Sequence, residues 1–397
     1  MIGLYHDLDV LNNDITIISG EVSTDDSIEG NLISVLYQRS NNQLDVVAFD
    51  LMLSAGRFYF GIEKGDYYLL VFNDKNGDYQ WQNDEAIVTS MTPINALTVQ
   101  DPYESPTELH LSKGNPQRLE WKGILSTSEQ HSQLMKDYHS LGKVTSFNNP
   151  VFSQEIATLG MWRPLRFINE FGFGLYSLEP FDSEKIPVIL VHGIDGSPLN
   201  WKGYVDKMGN TNYQYLMYHY PSGLDLWFVS WYLAELLEVM ISHSRVDDIF
   251  IVAHSMGGLV SAGAILELQA KNIDSNIKKF VSVSTPWKGH QSAQYGKDYA
   301  PVVMPVWNDI APDSEFIQML NQYWLPPHID YGLIFSTSGE SLTSLKNNDG
   351  AVTIDSQLSW IMQQQATIVR GLSRSHTGIL EDKRLTELTK AVFDYQR

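Results

Sequence analysis

One serine in this chain lies between an apolar strand and a helix that begins with small residues. Residues 249–260 read IFIVAHSMGGLV, and the apolar residues before the histidine are typical of a buried parallel strand. A sharp turn from such a strand into a helix forces Ser255 into a strained conformation with its hydroxyl above the sheet. Ala253 and Gly257 are small enough for this turn, although the usual pattern, G-x-S-x-G, has two glycines. The segment predicts a nucleophile elbow; the alternative is a serine that caps an ordinary helix.

A second apolar strand occurs earlier in the chain and ends in a glycine-containing loop. Residues 187–196 read PVILVHGIDG. Acyl transfer needs hydrogen-bond donors aimed at a developing oxyanion, and backbone N–H groups supply them without side-chain reorganisation. The loop after His192 and Gly193 is therefore a predicted source of such donors, and His192 itself is expected to support the loop.

These two motifs and VSVSTPWKGH at 281–290 occur in the order found in one superfamily. From about residue 186 to the C-terminus the chain resembles the α/β-hydrolase superfamily, and more closely its lipase and esterase branch. The resemblance implies a serine nucleophile at Ser255 and an oxyanion hole formed by the backbone amides of Ile194 and Met256. It also implies an acid after the seventh strand and a histidine after the eighth.

Strand and helix patterns alternate along this region. The candidate strands lie at 213–220, 279–284, 331–336 and 366–370, and the helical patterns include 224–241 and 258–270. This alternation predicts a mostly parallel sheet with crossover helices, which binds ligands at the carboxyl ends of its strands. We expect Ser255, Ile194 and the loops after residues 336 and 370 to meet at that edge.

Asp349 is the predicted acid. It follows the strand at 331–336 at loop distance, within NNDGAV at 347–352, and an N-D-G-x-V pattern in the family matches it. Asp355 is the nearest rival, whereas Asp309 and Asp313 precede that strand. The alternative for Asp349 is a turn residue in an Asp-Gly dipeptide.

His376 is the predicted general base because it directly follows the last candidate strand. Its competitors, His290 and His328, do not lie where the family places a base. In this assignment neutral imidazole takes the Ser255 proton and returns it to the leaving alkoxide, while Asp349 fixes the tautomer.

The composition limits the partners of the chain. Its 397 residues, with 43% hydrophobic content, can form two domains with substantial cores. The net charge of −20 disfavours nucleic acid and strongly anionic membrane surfaces as partners. No run of about 18 apolar residues is present, so no transmembrane helix is predicted. The lack of cysteine excludes disulfides, zinc–thiolate sites and cysteine nucleophiles.

The first hundred residues have an all-β pattern. Short alternating runs, separated by Asn, Asp, Gly and Ser clusters, lie at 15–22, 32–38, 44–51, 57–62 and 67–72. With GEV at 20–22, GRFYF at 56–60 and KGDYYLL at 64–70, the region resembles a transthyretin-like or carboxypeptidase-regulatory-like sandwich. Such modules are commonly appended to exported enzymes, which slightly favours the cell envelope or secretion over the cytoplasm. The start of the sequence shows no basic-then-apolar signal segment.

These patterns predict an all-β sandwich at 1–105, a linker region at 106–180 and a catalytic α/β-hydrolase domain at 181–397. Within the linker region, 156–167 is predicted to be one helix and 174–178 an edge strand. The sandwich is expected to position the chain on a surface or a protein partner.

A metal loop in the first domain is the weaker of two interpretations. Asp74, Asn76, Asp78 and Glu85 have the spacing of an EF-hand-like loop, but the position that requires glycine is Tyr79. A hairpin turn at Asn76-Gly77 explains the same residues, so no metal or cofactor is predicted.

A long insertion at 286–330 carries several apolar side chains and is either a lid or acyl-pocket wall, or packing against the sheet. Trp227, Phe228 and Trp231 could line the same cleft or belong to the core. The sequence therefore predicts a lipase-like serine esterase that acts on an ester or lipid-like substrate. An acyltransferase with the same residues and a non-catalytic binding protein are the alternatives.

Overall fold

The computed structural model describes most of the chain. The described residues are 15–25, 28, 31–40, 43–52, 55–63, 65–76, 81–82, 84–95, 106–112, 143–171, 174–209, 212–244, 246–338 and 347–396. The chain divides into two compact units, one formed by Tyr5–Met135 and the other by Lys136–Arg397 together with Met1–Leu4. The predicted domain boundaries at 105 and 180 stay predictions.

Two sheets form the described part of the first unit. Its strands are β1 (Ile15–Thr24), β2 (Asn31–Ser40), β3 (Gln43–Met52), β4 (Gly56–Glu63), β5 (Asp66–Asp74), β6 (Ile87–Thr89), β7 (Ile94–Asn95) and β8 (Thr107–Leu111). One sheet has the order β4-β1-β8 and the other β3-β2-β5-β6, with β7 beside β5. The five runs predicted from the sequence correspond to β1 to β5, and β8 comes from the predicted linker region.

The two sheets share one apolar core. Side chains from both contribute to it, among them Ile18 and Val22 of β1, Leu32 and Leu36 of β2, Phe58 and Phe60 of β4, Leu69 and Val71 of β5, and Leu109 and Leu111 of β8. Alternate residues of each strand point to the same face, so this cluster requires the sheets to pack face to face. The described part of the unit is an all-β sandwich, and its relation to transthyretin-like modules stays a prediction.

A mostly parallel sheet forms the centre of the second unit. Its strands are β9 (Lys143–Val144), β10 (Gly174–Ser177), β11 (Ile186–Val191), β12 (Tyr213–His219), β13 (Ile249–His254), β14 (Ile277–Val283), β15 (Asp330–Ser336) and β16 (Ile368–Leu372). They lie in the order β16-β15-β14-β13-β11-β12-β10-β9. The pair β10 and β12 is antiparallel and the other pairs are parallel. The predicted parallel α/β sheet is therefore confirmed, but the predicted edge strand is β10, which lies between β12 and β9.

Helices connect these strands. They are α1 (Gln154–Trp162), α2 (Pro164–Phe171), α3 (Lys202–Met208), α4 (Leu226–Ser244), α5 (Met256–Ala270), α6 (Gln291–Tyr299), α7 (Pro305–Ile310), α8 (Glu315–Leu320), α9 (Ile354–Gln357), α10 (Trp360–Gln365) and α11 (Lys383–Phe393). The single helix predicted at 156–167 is wrong, because it is divided into α1 and α2 at Arg163. Proline is tolerated only in the first turn of a helix, so Pro164 ends one helix and begins the next. Within the described residues, no helix combines the length and apolarity that a membrane crossing needs.

The strand order reverses direction at β11, which lies between β12 and β13. Open α/β sheets bind ligands in the crevice at such a switch point, beyond the carboxyl ends of the strands. Here α5 begins very close to β11. A Cβ added to Gly257 would lie only 2.4 Å from Val191 O and 2.5 Å from His192 O. The fold thus brings the serine turn against the glycine loop that follows β11.

We expect Gly257→Ala to lower the free energy of unfolding by about 1–3 kcal/mol, because an added methyl would overpack against backbone atoms. Urea unfolding followed by circular dichroism measures this change. Gly174→Ala is the control, since a Cβ there would meet no atom within 4 Å. A Gly257→Ala variant as stable as the parent would contradict the close approach of α5 to β11.

Candidate active site

Ser255 adopts a backbone conformation that residues other than glycine rarely adopt. Its φ is 55° and its ψ is −128°, at the junction of β13 and α5. Backbone hydrogen bonds hold this turn, from Ser255 N–H to Val283 O at 2.8 Å and from Gly258 N–H to Ser255 O at 3.0 Å. The side chain makes no cap hydrogen bond to α5. A helix-capping role therefore does not explain this serine.

A series of hydrogen bonds runs from the Ser255 hydroxyl into the protein. The hydroxyl donates to His376 Nε2 at 2.8 Å, and His376 Nδ1–H donates to Asp349 Oδ2 at 2.7 Å. The His376 amide also donates to Asp349 O at 2.8 Å. Ser255 follows β13, Asp349 follows β15 and His376 follows β16, so the carboxyl edge of the sheet brings together the three side chains predicted from the sequence.

The Asp349 carboxylate is completely buried and densely hydrogen bonded. Its Oδ1 accepts from the amides of Ala351 and Val352, at 3.0 and 2.7 Å. Its Oδ2 accepts from Ser336 Oγ and, at 3.1 Å, from Gln357 Nε2. Burial alone would raise the pKa of Asp349. The hydrogen bonds, of which the one from His376 has the largest effect, outweigh burial and hold the pKa below its ordinary value. Asp349 is therefore an anion, which requires the proton of neutral His376 to lie on Nδ1.

The sequence did not predict the roles of Ser336 and Gln357. Ser336 is the last residue of β15, at the edge of the sheet where ligands bind, and that position could have identified it as a site residue. Gln357 lies on α9 and has no local signal. Its side chain bridges Ser336 and Asp349, because Oε1 accepts from Ser336 N at 2.9 Å while Nε2 donates to Asp349.

His254 supports the backbone of His376. It is buried directly before Ser255, and its Nε2–H donates to His376 O at 2.8 Å. Burial, with a smaller contribution from nearby His376, lowers the pKa of His254 to about 3. A permanently neutral imidazole is thus a fixed donor that holds the His376 backbone in place.

The loop after β11 runs beside the Ser255 side chain. A Cβ added to Gly193 would lie 2.8 Å from Ser255 Cβ and 3.3 Å from its Oγ. Among the described residues, neither the Ile194 amide nor the Met256 amide donates a hydrogen bond. Ile194 lines the cleft beside Ser255, and the assignment of both amides to an oxyanion hole stays a prediction.

His192 is held inside this loop and faces no open space. Its Nδ1–H donates to Gly193 O at 2.8 Å, and its ring stacks on Tyr220 with centroids 4.2 Å apart. Tyr220 Oη also donates to His192 O at 2.7 Å. Burial lowers the pKa of His192 to about 4, so the ring is neutral and supports the loop.

A cleft of about 490 Å³ opens beside Ser255 and His376. Ala293, Trp307 and Ile310, which come from the insertion at 286–330, form part of its wall. Trp307 also makes an edge-to-face contact with Trp162 of α1, at a centroid distance of 5.9 Å. The insertion is therefore a wall of the cleft.

Trp227, Phe228 and Trp231 are not among the described residues that line this cleft. Trp227 packs edge-to-face against Phe316 of α8, and Phe228 packs against Trp231. These aromatic side chains belong to the packing of α4, so the interpretation that placed them in the cleft is wrong.

The rival acids lie elsewhere. Asp355 pairs with Lys288 at 2.9 Å and is largely exposed, and Asp313 is also exposed. Asp309 is half-buried, and its Oδ2 accepts from the Leu226 amide at 2.6 Å. Burial, reinforced by the nearby carboxyl of Asp225, raises the pKa of Asp309 to about 8.

The rival histidines are also engaged. His328 Nε2 lies 3.1 Å from Asp274 O, outside the cleft. His290 lines the cleft, but its Nε2 lies 3.0 Å from Ala351 O and its Nδ1 accepts from the Ser292 amide at 3.2 Å. Neither imidazole contacts Ser255.

The predicted hairpin and calcium alternatives depend partly on Gly77, Asp78 and Tyr79, which lie outside the described residues. The Glu85 carboxylate accepts from the amides of Lys75 and Gln82, at 2.8 and 2.9 Å. Over the described ranges, no cluster of three or more His, Cys, Asp or Glu side chains could hold a metal ion.

The sheet order, the turn at Ser255 and the chain order of Ser255, Asp349 and His376 are those of α/β-hydrolases. A sequence model of the lecithin:cholesterol acyltransferase family matches residues 174–300, from β10 to the end of α6. The chain has the α/β-hydrolase fold.

Individual proteins with similarity to this hydrolase fold include a peptidase and two lipases. The proline iminopeptidase of Clostridium botulinum is 29% identical over 101 residues, which is 23% of this chain and 34% of that protein. The chain thus spans about a third of this relative. The mature Bacillus licheniformis lipase covers 55% of this chain and 96% of its own, with 17% identity and a TM-score of 0.43. Aspergillus fumigatus lipase B covers 66% and 65%, with 18% identity and a TM-score of 0.41.

We expect Asp309→Asn to remove a pH-dependent part of the stability. The folded state raises the pKa of Asp309 from 3.8 to about 8, so this stabilisation is complete below about pH 4 and is lost as the pH rises to about 8. The variant cannot ionise, and should match the parent near pH 4 and be more stable than it near pH 8. Thermal unfolding across this range measures the difference, with exposed Asp313→Asn as the control. Parallel profiles of parent and Asp309→Asn would contradict a protonated Asp309.

Proposed function

We propose that this chain is a serine carboxylic-ester hydrolase that acts through Ser255, His376 and Asp349 and an acyl-enzyme intermediate. One observation carries the proposal, the continuous hydrogen-bond series from the Ser255 hydroxyl to a buried anion. A binding protein with this fold would have no use for a neutral imidazole that accepts from a strained serine. The enzymatic function is therefore favoured over the non-catalytic alternative.

The chemistry follows from the protonation states. Neutral His376 accepts the Ser255 proton at Nε2 as the serine oxygen attacks the ester carbonyl carbon. The imidazolium that forms is stabilised by Asp349, and it then protonates the departing alkoxide. Water attacks the resulting acyl-serine with His376 again as the base, which releases the carboxylic acid and restores the serine.

The negative oxygen of each tetrahedral intermediate needs fixed donors. We assign this role to the backbone amides of Ile194 and Met256, which no described group occupies. The close approach of Gly193 to Ser255 supports the assignment, since it brings the loop that contains Ile194 to the reacting hydroxyl. Met256 is the first residue of α5, so its amide is also one that the helix leaves unused.

The cleft favours an ester or lipid-like substrate. Ala293, Trp307 and Ile310 contribute apolar side chains to its wall, and these can bury an acyl chain. Among the described lining residues, none is Lys or Arg. A neutral ester group therefore fits better than one with an anionic group beside it.

Acyl transfer to an alcohol is the second candidate function. The match of residues 174–300 to the lecithin:cholesterol acyltransferase family favours it. The acyl-enzyme is common to both reactions, and the difference is whether water or an alcohol attacks it. A chain-length series of p-nitrophenyl esters, with and without alcohol acceptors, separates them, because transfer yields a new ester and hydrolysis yields the free acid.

We expect Ser255→Ala to lower ester turnover by about 10⁴- to 10⁶-fold without loss of folding, because the three groups act as a unit. A fluorophosphonate probe should label the parent and not the variant. Ser282→Ala is a suitable control, since Ser282 is also a buried serine of the same sheet but bonds to Tyr331 Oη and not to a histidine. Labelling that survives in Ser255→Ala would exclude Ser255 as the nucleophile.

Asp349→Asn should lower kcat by about 10³- to 10⁴-fold, because the amide no longer holds Nδ1 protonated and Nε2 free to accept. Asp355→Asn removes a largely exposed ion pair with Lys288 and should keep kcat within about twofold of the parent. Initial rates on a short p-nitrophenyl ester compare the two. A silent Asp349→Asn with a crippling Asp355→Asn would reverse the assignment of the acid.

A further inference from the structure

His290 connects the wall of the cleft to the loop that carries Asp349. It lies between β14 and α6 and is half-buried at the cleft. Its backbone N–H donates to Ile310 O at 2.7 Å, at the end of α7. Its ring hydrogen bonds to the Ser292 amide at the N-terminus of α6. It also hydrogen bonds to the Ala351 carbonyl in the loop that contains Asp349, the acid loop. One residue thus contacts both wall helices and the loop after β15.

The hydrogen bonds determine the tautomer of this ring. The Ser292 amide can only donate, so His290 Nδ1 must present its lone pair, as the N-cap of α6. The proton of neutral imidazole therefore lies on Nε2, which donates to Ala351 O at 3.0 Å. Burial lowers the pKa of His290, which keeps this neutral form. Because both nitrogens are engaged, His290 has neither a free base nor a free acid to offer a substrate.

Ala351 links His290 to the carboxylate of Asp349 through its backbone. The Ala351 N–H donates to Asp349 Oδ1, and the carbonyl of the same residue accepts from His290. The surrounding turn is tight, with a β-bridge between Asn348 and Thr353 and a φ of 102° at Gly350. A shift of Ala351 would therefore alter the hydrogen bonds that orient Asp349.

We propose that His290 is a positioning residue for the proposed reaction, which holds Asp349 in register with the cleft wall through its hydrogen bond to Ala351 O. This inference depends on the proposed function. It assigns to His290 two separable contacts, the cap of α6 through Nδ1 and the support of the acid loop through Nε2.

Substitution of His290 by Asn or by Gln tests the two contacts separately. An Asn side chain places its oxygen as many bonds from Cβ as His Nδ1, so His290→Asn keeps an acceptor for Ser292 and loses the donor to Ala351. A Gln side chain places its nitrogen as many bonds from Cβ as His Nε2, so His290→Gln keeps the donor and loses the cap. His290→Ser is a second variant that keeps a cap acceptor without a donor that reaches Ala351.

We expect His290→Asn and His290→Ser to lower kcat on a short p-nitrophenyl ester by about 10- to 100-fold with KM within about twofold, because a small misplacement of the acid costs rate. His290→Gln should keep kcat within about threefold of the parent. His328→Asn is the matched control, since His328 also contacts a backbone carbonyl, that of Asp274, but outside the cleft. It should leave both constants unchanged.

A second readout does not depend on turnover. The Nδ1 proton between His376 and Asp349 should give a downfield ¹H NMR signal, which we expect to persist in His290→Gln and to broaden or disappear in His290→Asn. If the parent hydrolyses no ester, the proposed function fails, and this signal still tests the positioning. Parental kcat and NMR signal in His290→Asn would overturn the inference, as would equal loss in His290→Gln. Failure of both His290→Asn and His290→Ser to fold would also overturn it, because His290 would then be required for the fold.

Discussion

The buried carboxylate of Asp349 is the group on which the geometry of the site depends. Five side-chain or backbone donors converge on its two oxygens, from His376, Ser336, Gln357, Ala351 and Val352. A buried charge is stable only when its hydrogen bonds are made, so these donors fix both the ionised state and the direction of the carboxylate. The direction of the carboxylate sets the orientation of the His376 ring, and that orientation places the acceptor Nε2 towards Ser255.

Support for this arrangement comes from groups that take no part in the proposed chemistry. His254 fixes the backbone of His376, Gln357 bridges the end of β15 to the acid, and His192 fixes the glycine loop. The pKa values of His254 and His192 are both lowered by burial, so these rings stay neutral donors, whereas the proposed reaction requires His376 to exchange protons. The imidazole proposed to react is thus distinct from those that only hold the backbone.

The sequence was most informative where the constraint is local. The turn at Ser255 needs small neighbours and a strand before it, and these lie within twelve residues, so the φ of 55° could be anticipated. The approach of His376 to Ser255 spans 121 residues, and it was predictable only from the order of strands together with the family resemblance. Gln357 and His290 act through contacts that no short pattern encodes. The sequence predicted one helix where the structure has α1 and α2, because the apolar pattern continues across Pro164. The proline was the signal for the break.

The positions of β13 and β16 in the sheet have a consequence for heat tolerance. β13, which directly precedes Ser255, is fully buried and paired on both sides, whereas β16, which precedes His376, is an edge strand and exposes Arg370 and Gly371. Edge segments open at lower free energy than central ones. Warming would therefore detach His376, the proposed base, while the central strands remain paired. The proposed activity would then be lost reversibly, at temperatures below the unfolding of the core, and would return as β16 pairs again.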